Sequence, residues 1–215
     1  MFTGIVECVG TVVAAAPGAG GISLSIDAGT LAADMAPGDS VAVNGACLTV
    51  EKTAGDSFTA TAVPETLTTT TLGRVRIGDA LNLERAMGAG GRFDGHFVQG
   101  HVDGVEKILQ RTRGPDGERV TLSLSRDLAP FVAPKGSIAV DGVSLTVVDV
   151  AEGRLSFTVV PYTMDHTTLG SKGVGAAVNI EVDVLAKYVW RMLHETGPEG
   201  RRLDEAFLAE HGFAG

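Results

Sequence analysis

The chain has 215 residues, 44% hydrophobic and 20% charged, a balance that excludes a disordered polypeptide. A net charge of −9 argues against non-specific binding to nucleic acid or to an anionic membrane, which would need a basic face. Two cysteines, Cys8 and Cys47, cannot build a disulfide framework in a chain this long, and no Cys-x-x-Cys is present.

Residues 1–7 have no basic stretch ahead of an apolar run, so a cytoplasmic protein without a signal peptide is expected. The uncharged run 8–26 approaches membrane-spanning length, but Pro17, Gly18, Gly20 and Gly21 break it into strand, turn and strand. Residues 22–26 alternate apolar and hydroxyl side chains, the period of a half-buried strand. Segment 30–35 has room for a turn or two of helix before Pro37. Val41-Ala42-Val43 and Leu48-Thr49-Val50 flank Asn44-Gly45, a strong hairpin signal. The glycine-rich stretch 87–91 reads as a flexible connector, with Phe93 where a phosphate-binding fingerprint would need its third glycine.

Beyond the connector the chain repeats itself. Val41-Ala42-Val43-Asn44-Gly45-Ala46-Cys47-Leu48-Thr49-Val50 returns 97 positions later as Ile138-Ala139-Val140-Asp141-Gly142-Val143-Ser144-Leu145-Thr146-Val147. At that offset 19 of the 44 positions from 41 to 84 are identical, among them Asn82 and Glu84, which match Asn179 and Glu181. Gly4-Ile5-Val6 pairs more loosely with Gly100-His101-Val102, and residues 126–132 before Pro134 repeat the short helical segment. Two like domains follow, 1–92 and 93–184, each read as a small closed barrel of short strands. The tail 185–215 departs from the repeat. Asp183 is a plausible N-cap, and Leu185, Val189, Met192 and Leu193 recur at helical spacing up to about Gly197-Pro198. This stripe buries itself either on its own barrel or on another subunit. A second helix over 202–211 is left open.

No His or Cys set has metal-ligand spacing; His96 and His101, five apart, would point to opposite faces of a strand. Ser144, His101 and Asp183 could be assembled into a triad on paper, but no nucleophile elbow supports a hydrolase. The informative positions are those where the halves disagree: Cys47 against Ser144, Glu65 against Tyr162, Thr69 against His166. Reactive side chains exchanged within a repeated frame suggest related ligands handled in different chemical roles.

The opening Met1-Phe2-Thr3-Gly4-Ile5-Val6-Glu7, the two hairpins, Gly95-His96-Phe97-Val98-Gln99-Gly100-His101-Val102-Asp103 and Thr167-Thr168-Leu169-Gly170 together resemble the trimeric, alpha-chain riboflavin synthase family. The resemblance implies an all-β fold of two six-stranded Greek-key barrels, with a C-terminal helix through which a homotrimer forms. It implies a transferase that dismutates two 6,7-dimethyl-8-ribityllumazine molecules into riboflavin and 5-amino-6-ribitylaminouracil. No cofactor or metal is expected, and lumazine synthase is a candidate partner. Carried onto this chain, the N-terminal half-site is Gly4, Ile5, Val6, Cys47, Leu48, Thr49, Thr61, Ala62, Val63, Pro64, Glu65 and Thr66. The C-terminal half-site is Gly100, His101, Val102, Lys135, Ser144, Leu145, Thr146, Val159, Val160, Pro161, Tyr162, Thr163 and Met164. His101 is the expected proton carrier, Ser144 and Thr146 relay or position the proton, and Cys47 adds to or places water on a substrate ring. A non-catalytic lumazine- or flavin-binding homologue, a flavin-dependent oxidoreductase barrel and a scaffold protein are the rival classes.

Overall fold

The computed structural model describes residues 1–18, 20–194 and 212. The first half forms β1 (Cys8–Gly18), β2 (Gly21–Asp27), β3 (Ser40–Val43), β4 (Ala46–Ala54), β5 (Ser57–Ala62), a short helix α1 (Pro64–Thr69) and β6 (Ala80–Arg85). The second half repeats it as β7 (Gly104–Gly114), β8 (Gly117–Ser123), β9 (Ser137–Val140), β10 (Val143–Ala151), β11 (Arg154–Val159), α2 (Pro161–His166) and β12 (Ala177–Val182). Each half closes into a six-stranded antiparallel barrel, ordered β1-β2-β5-β4-β3-β6 and, equivalently, β7-β8-β11-β10-β9-β12. The broken run at the start is indeed two strands, and the helical segments before Pro37 and Pro134 are short 3-10 turns.

Alternation decides which face is inside. Phe58, Ala60 and Ala62 of β5 point into the first barrel and pack on Leu24, Ile26 and Leu83; Phe157, Leu122 and Ile180 do the same in the second. These interiors are full, as expected of small barrels, so any ligand must lie outside the wall. Both hairpins turn through two residues of positive φ, Asn44 (46°) with Gly45 (78°) and Asp141 (47°) with Gly142 (78°). That is the primed turn matching strand twist.

The barrels meet about an internal pseudo-dyad. Phe2 bridges Val98, and both pack on Ala42 and Ala139 in a small shared core. The matching asparagines reach across it. Asn82 donates Nδ2–H to the Asp141 carbonyl (2.8 Å) and accepts the Thr168 N–H (2.7 Å). Asn179 likewise donates to the Asn44 carbonyl (2.7 Å) and accepts the Thr71 N–H (2.7 Å). The repeat thus conserves the groups that join its own copies.

Helix α3 (Val184–His194) follows β12 directly. Asp183 does cap it, its Oδ1 accepting the Leu185 N–H at 2.9 Å. One side is tied down by Lys187 to Asp103 (2.6 Å) and by Trp190 against Phe131 (5.6 Å between ring centroids). The stripe of Leu185, Tyr188, Val189, Met192 and Leu193 stays more than half exposed. The expected helix end near 197–198 and the second helix over 202–211 lie outside the described residues.

Asn82→Ala leaves the Thr168 N–H and the Asp141 carbonyl without partners in a buried seam. At about 1–3 kcal/mol per orphaned group, a loss near 3 kcal/mol is expected, read as a lowered urea midpoint with the two barrels unfolding less cooperatively.

Candidate functional site

Outward-facing residues of β4 and β10 carry the reactive groups. On β10, Val143, Leu145 and Val147 are buried in the barrel while Ser144 and Thr146 face out; on β4, Cys47 and Thr49 face out in the same way. An open cavity of about 530 Å³ lies against the first of these walls, lined by Gly20, Cys47, Leu48, Thr49, Glu51, Thr61, Val63 and Thr66. Six of these eight are among the residues the sequence nominated. Gly20 and Glu51 were missed, while Ala62 is buried in the core and Pro64 and Glu65 sit exposed on α1. Around the second wall Val159 is likewise buried, Val160, Pro161 and Tyr162 are exposed, and Thr163 and Met164 are half-buried. Lys135 is exposed at φ 67° and donates its N–H to the Val147 carbonyl beside Thr146.

The two glycine straps are crossed relative to the sequence-based grouping. The Ser144 N–H donates to the Gly4 carbonyl (2.8 Å), and Val6 packs against the core of the second barrel. The Cys47 N–H donates to the Gly100 carbonyl (2.9 Å), and Val102 packs against the core of the first. Gly4, Ile5 and Val6 therefore belong with Ser144, and Gly100, His101 and Val102 belong with Cys47. Chain order misleads because each strap leaves the pseudo-dyad toward the opposite barrel before its own β-strand begins. Both straps pass so close that a Cβ on Gly4 would lie 2.6 Å from Ser144 Cβ, and one on Gly100 2.5 Å from Cys47 Cβ. Their φ angles of 80° and 81° also require glycine.

Carboxylates at matching ends of β6 and β12 anchor the straps. Glu84 accepts the N–H groups of Thr3 (2.6 Å) and Gly4 (3.0 Å) and the Thr3 hydroxyl (2.9 Å). Glu181 accepts those of Gln99 (2.6 Å) and Gly100 (3.0 Å). Burial pushes both carboxyls up, and these donors pull them back. The sequence signal was present: Glu84 and Glu181 recur at equivalent places, each two residues after a repeated asparagine near the end of a mostly apolar strand.

His96 is the second correction. It is buried, and its Nδ1 lies 2.7 Å from Ser144 Oγ, where the sequence reading had expected His101 to stand. Burial lowers its pKa, and the negative charge of Asp183 partly restores it. Its Nε2 has no partner among the described residues. His101 is exposed and stands in the strap beside Cys47. Neither histidine is on a strand, and no metal-holding group of His, Cys, Asp and Glu occurs among the described residues. Among these residues no helix is long and apolar enough to cross a membrane. The walls can thus supply hydroxyl, thiol and imidazole groups beside straps rich in backbone donors and acceptors, a chemistry of neutral hydrogen bonds and proton transfer.

A tandem lumazine-binding architecture is what these features define, and the lumazine binding domain family matches residues 3–86 and again 99–183. A riboflavin synthase of Bacillus amyloliquefaciens is 42% identical over 215 residues, covering 99% of this chain and 100% of that protein. One of Schizosaccharomyces pombe is 41% identical over 199 residues, covering 90% and 94%. The crystal structure of LumP complexed with riboflavin superposes with a TM-score of 0.78 at 24% identity, over 85% of this chain and 99% of that one, a likeness of fold. The chain belongs to the riboflavin synthase family, transferases of riboflavin biosynthesis.

The crossed straps make a paired prediction. Gly100→Ala adds about 1 kcal/mol of backbone strain plus a clash with Cys47, so alkylation of Cys47 should quicken severalfold while the His96 imidazole resonances stay put. Gly4→Ala should shift the His96 resonances and leave Cys47 alkylation unchanged.

Proposed function

We propose that the chain converts two molecules of 6,7-dimethyl-8-ribityllumazine into riboflavin and 5-amino-6-ribitylaminouracil, one substrate held against each barrel. The observation that supports this most is the pair of like walls under crossed straps, differing in Cys47 on one side and the Ser144–His96 pair on the other. Identical ligands in opposite roles need a shared frame with different reactive groups. Hydroxyls of Thr49, Thr61, Thr66, Thr146 and Thr163, with strap N–H and carbonyl groups, suit a ribityl chain and the amide-like edge of a pteridine.

The chemistry begins with loss of a 7-methyl proton, the carbanion being delocalised into the ring. In the second pocket Ser144 Oγ bridges substrate and His96, whose imidazole stays neutral and able to accept a proton because burial lowers its pKa. In the first, Cys47 adds to or places water on the ring of the other substrate, with His101 in the adjoining strap as proton carrier. Juxtaposing the two rings contributes up to about 7–11 kcal/mol through orientation alone. The ring-to-ring contact is formed between the first barrel of one subunit and the second barrel of its neighbour in a homotrimer, with the exposed stripe of α3 as the association surface. The deciding assay is incubation with the lumazine alone. Riboflavin fluorescence appearing with turnover supports the proposal; ligand binding without product points to a binding module.

Ser144→Ala should cost about 1–3 kcal/mol in the barrier, read in kcat, and Cys47→Ser about tenfold, near 1.4 kcal/mol. Protonating His96 removes the base. The acid limb of kcat should therefore lie below the ordinary imidazole range, fall about tenfold per pH unit, and vanish in His96→Gln.

A chain ending at Asp183 should sediment as a monomer with greatly reduced turnover, since α3 would no longer bring two pockets face to face.

A further inference from the structure

We propose that Arg111 and Glu118 are a positioning pair for the Ser144 pocket, fixing α2 rigidly beside it, where the first barrel leaves α1 on an apolar seat. The proposal rests on the two-pocket reading above. Strand register establishes the equivalence: Arg111 opposes Val120 as Ala15 opposes Leu24, and Glu118 opposes Val159 as Ile22 opposes Ala62. In the first barrel Ala15 and Ile22 simply pack against the core together with Leu67 of α1.

In the second barrel the same places hold a guanidinium and a carboxylate, 13% and 17% exposed. Arg111 Nε and Nη2 donate to Glu118 Oε1 and Oε2, both at 2.9 Å, fork to fork. Nη1 donates to the Leu169 carbonyl at 2.8 Å and to that of Lys172. Nη2 also lies 3.6 Å from Met164 Sδ. One planar group thus grips a residue of α2 and the turn that follows it, while its partner Glu118 is paired through the backbone with Val159, the last residue of β11, two positions before that helix. These contacts use the geometry of guanidinium; a lysine ammonium cannot reproduce the fork. Arg111 needs no contact with substrate. It acts through the 159–164 segment, which it holds in place before ligand arrives, so ordering that segment costs less on binding. The two pockets consequently hold the same ligand with unequal strength.

Riboflavin binding to the full-length chain tests this, with total bound ligand measured by equilibrium dialysis. Occupancy of the first pocket is read separately, as protection of Cys47 from iodoacetamide in peptide masses, with Cys8 resolved on its own peptide. The double replacement Arg111→Ala, Glu118→Ile installs the first barrel's own residues. It should weaken the second binding event about tenfold, leave the Cys47 protection midpoint within about twofold, and raise KM more than it lowers kcat. Arg111→Lys should give most of the same loss, and it carries the test should the double variant fail to fold. Unchanged affinities at both pockets, or equal weakening of both, would overturn the positioning role. A wild-type chain that binds no riboflavin would instead overturn the two-pocket reading beneath it.

Discussion

Two buried carboxylates, Glu84 and Glu181, hold this architecture in its working arrangement. Each is desolvated at the end of a barrel strand, and each offsets that cost by accepting backbone N–H groups from a glycine strap. The strap so anchored then gives its carbonyl to the reactive wall of the opposite barrel. Neither wall is therefore finished by its own half of the chain. An isolated half would keep its carboxylate and its barrel but lack the strap that closes its pocket, which is a physical reason for the duplication to remain within one polypeptide.

On that symmetric frame the differences are concentrated in the second barrel. Cys47 is matched by Ser144 with His96, the apolar Ala15 and Ile22 by the ion pair of Arg111 and Glu118, and Asn44 by Asp141. Asp141 is fully buried; burial pushes its carboxyl up, while Lys172 Nζ at 2.5 Å pulls it down. Ion pairs partly or wholly withdrawn from water contribute little net stability against apolar packing, since desolvation offsets most of the attraction. Two such pairs in one barrel and apolar or amide groups at the matching places of the other are better understood as geometry than as stability. They define where α2 and the hairpin turn sit, with directional contacts that apolar packing lacks.

The exposed stripe of α3 belongs to the same logic. Its inner side is committed to Asp103 and Phe131 of the second barrel, leaving Leu185, Val189, Met192 and Leu193 unsatisfied by the chain's own core. Both barrel interiors are already full, so among the described residues this stripe has no core to enter.

Much of this was determined by the sequence alone, because it depends on local chemistry. Period-2 alternation set the strands, Asn44-Gly45 and Asp141-Gly142 set the primed turns, and Asp183 with the spacing of Leu185 to Leu193 set the last helix. The internal repeat carried the double barrel and both reactive walls, since matching residues in matching hairpins must face the same way. What only the tertiary structure decided is which partner each wall receives. The crossing of the straps depends on the pseudo-dyad contact of Phe2 with Val98, residues 96 apart, and no local pattern encodes on which side of that contact the chain passes. For the same reason His96 and His101 could not be told apart in sequence. They lie only five positions apart, yet the strap between them crosses the dyad, so one imidazole is buried against Ser144 and the other is exposed beside Cys47.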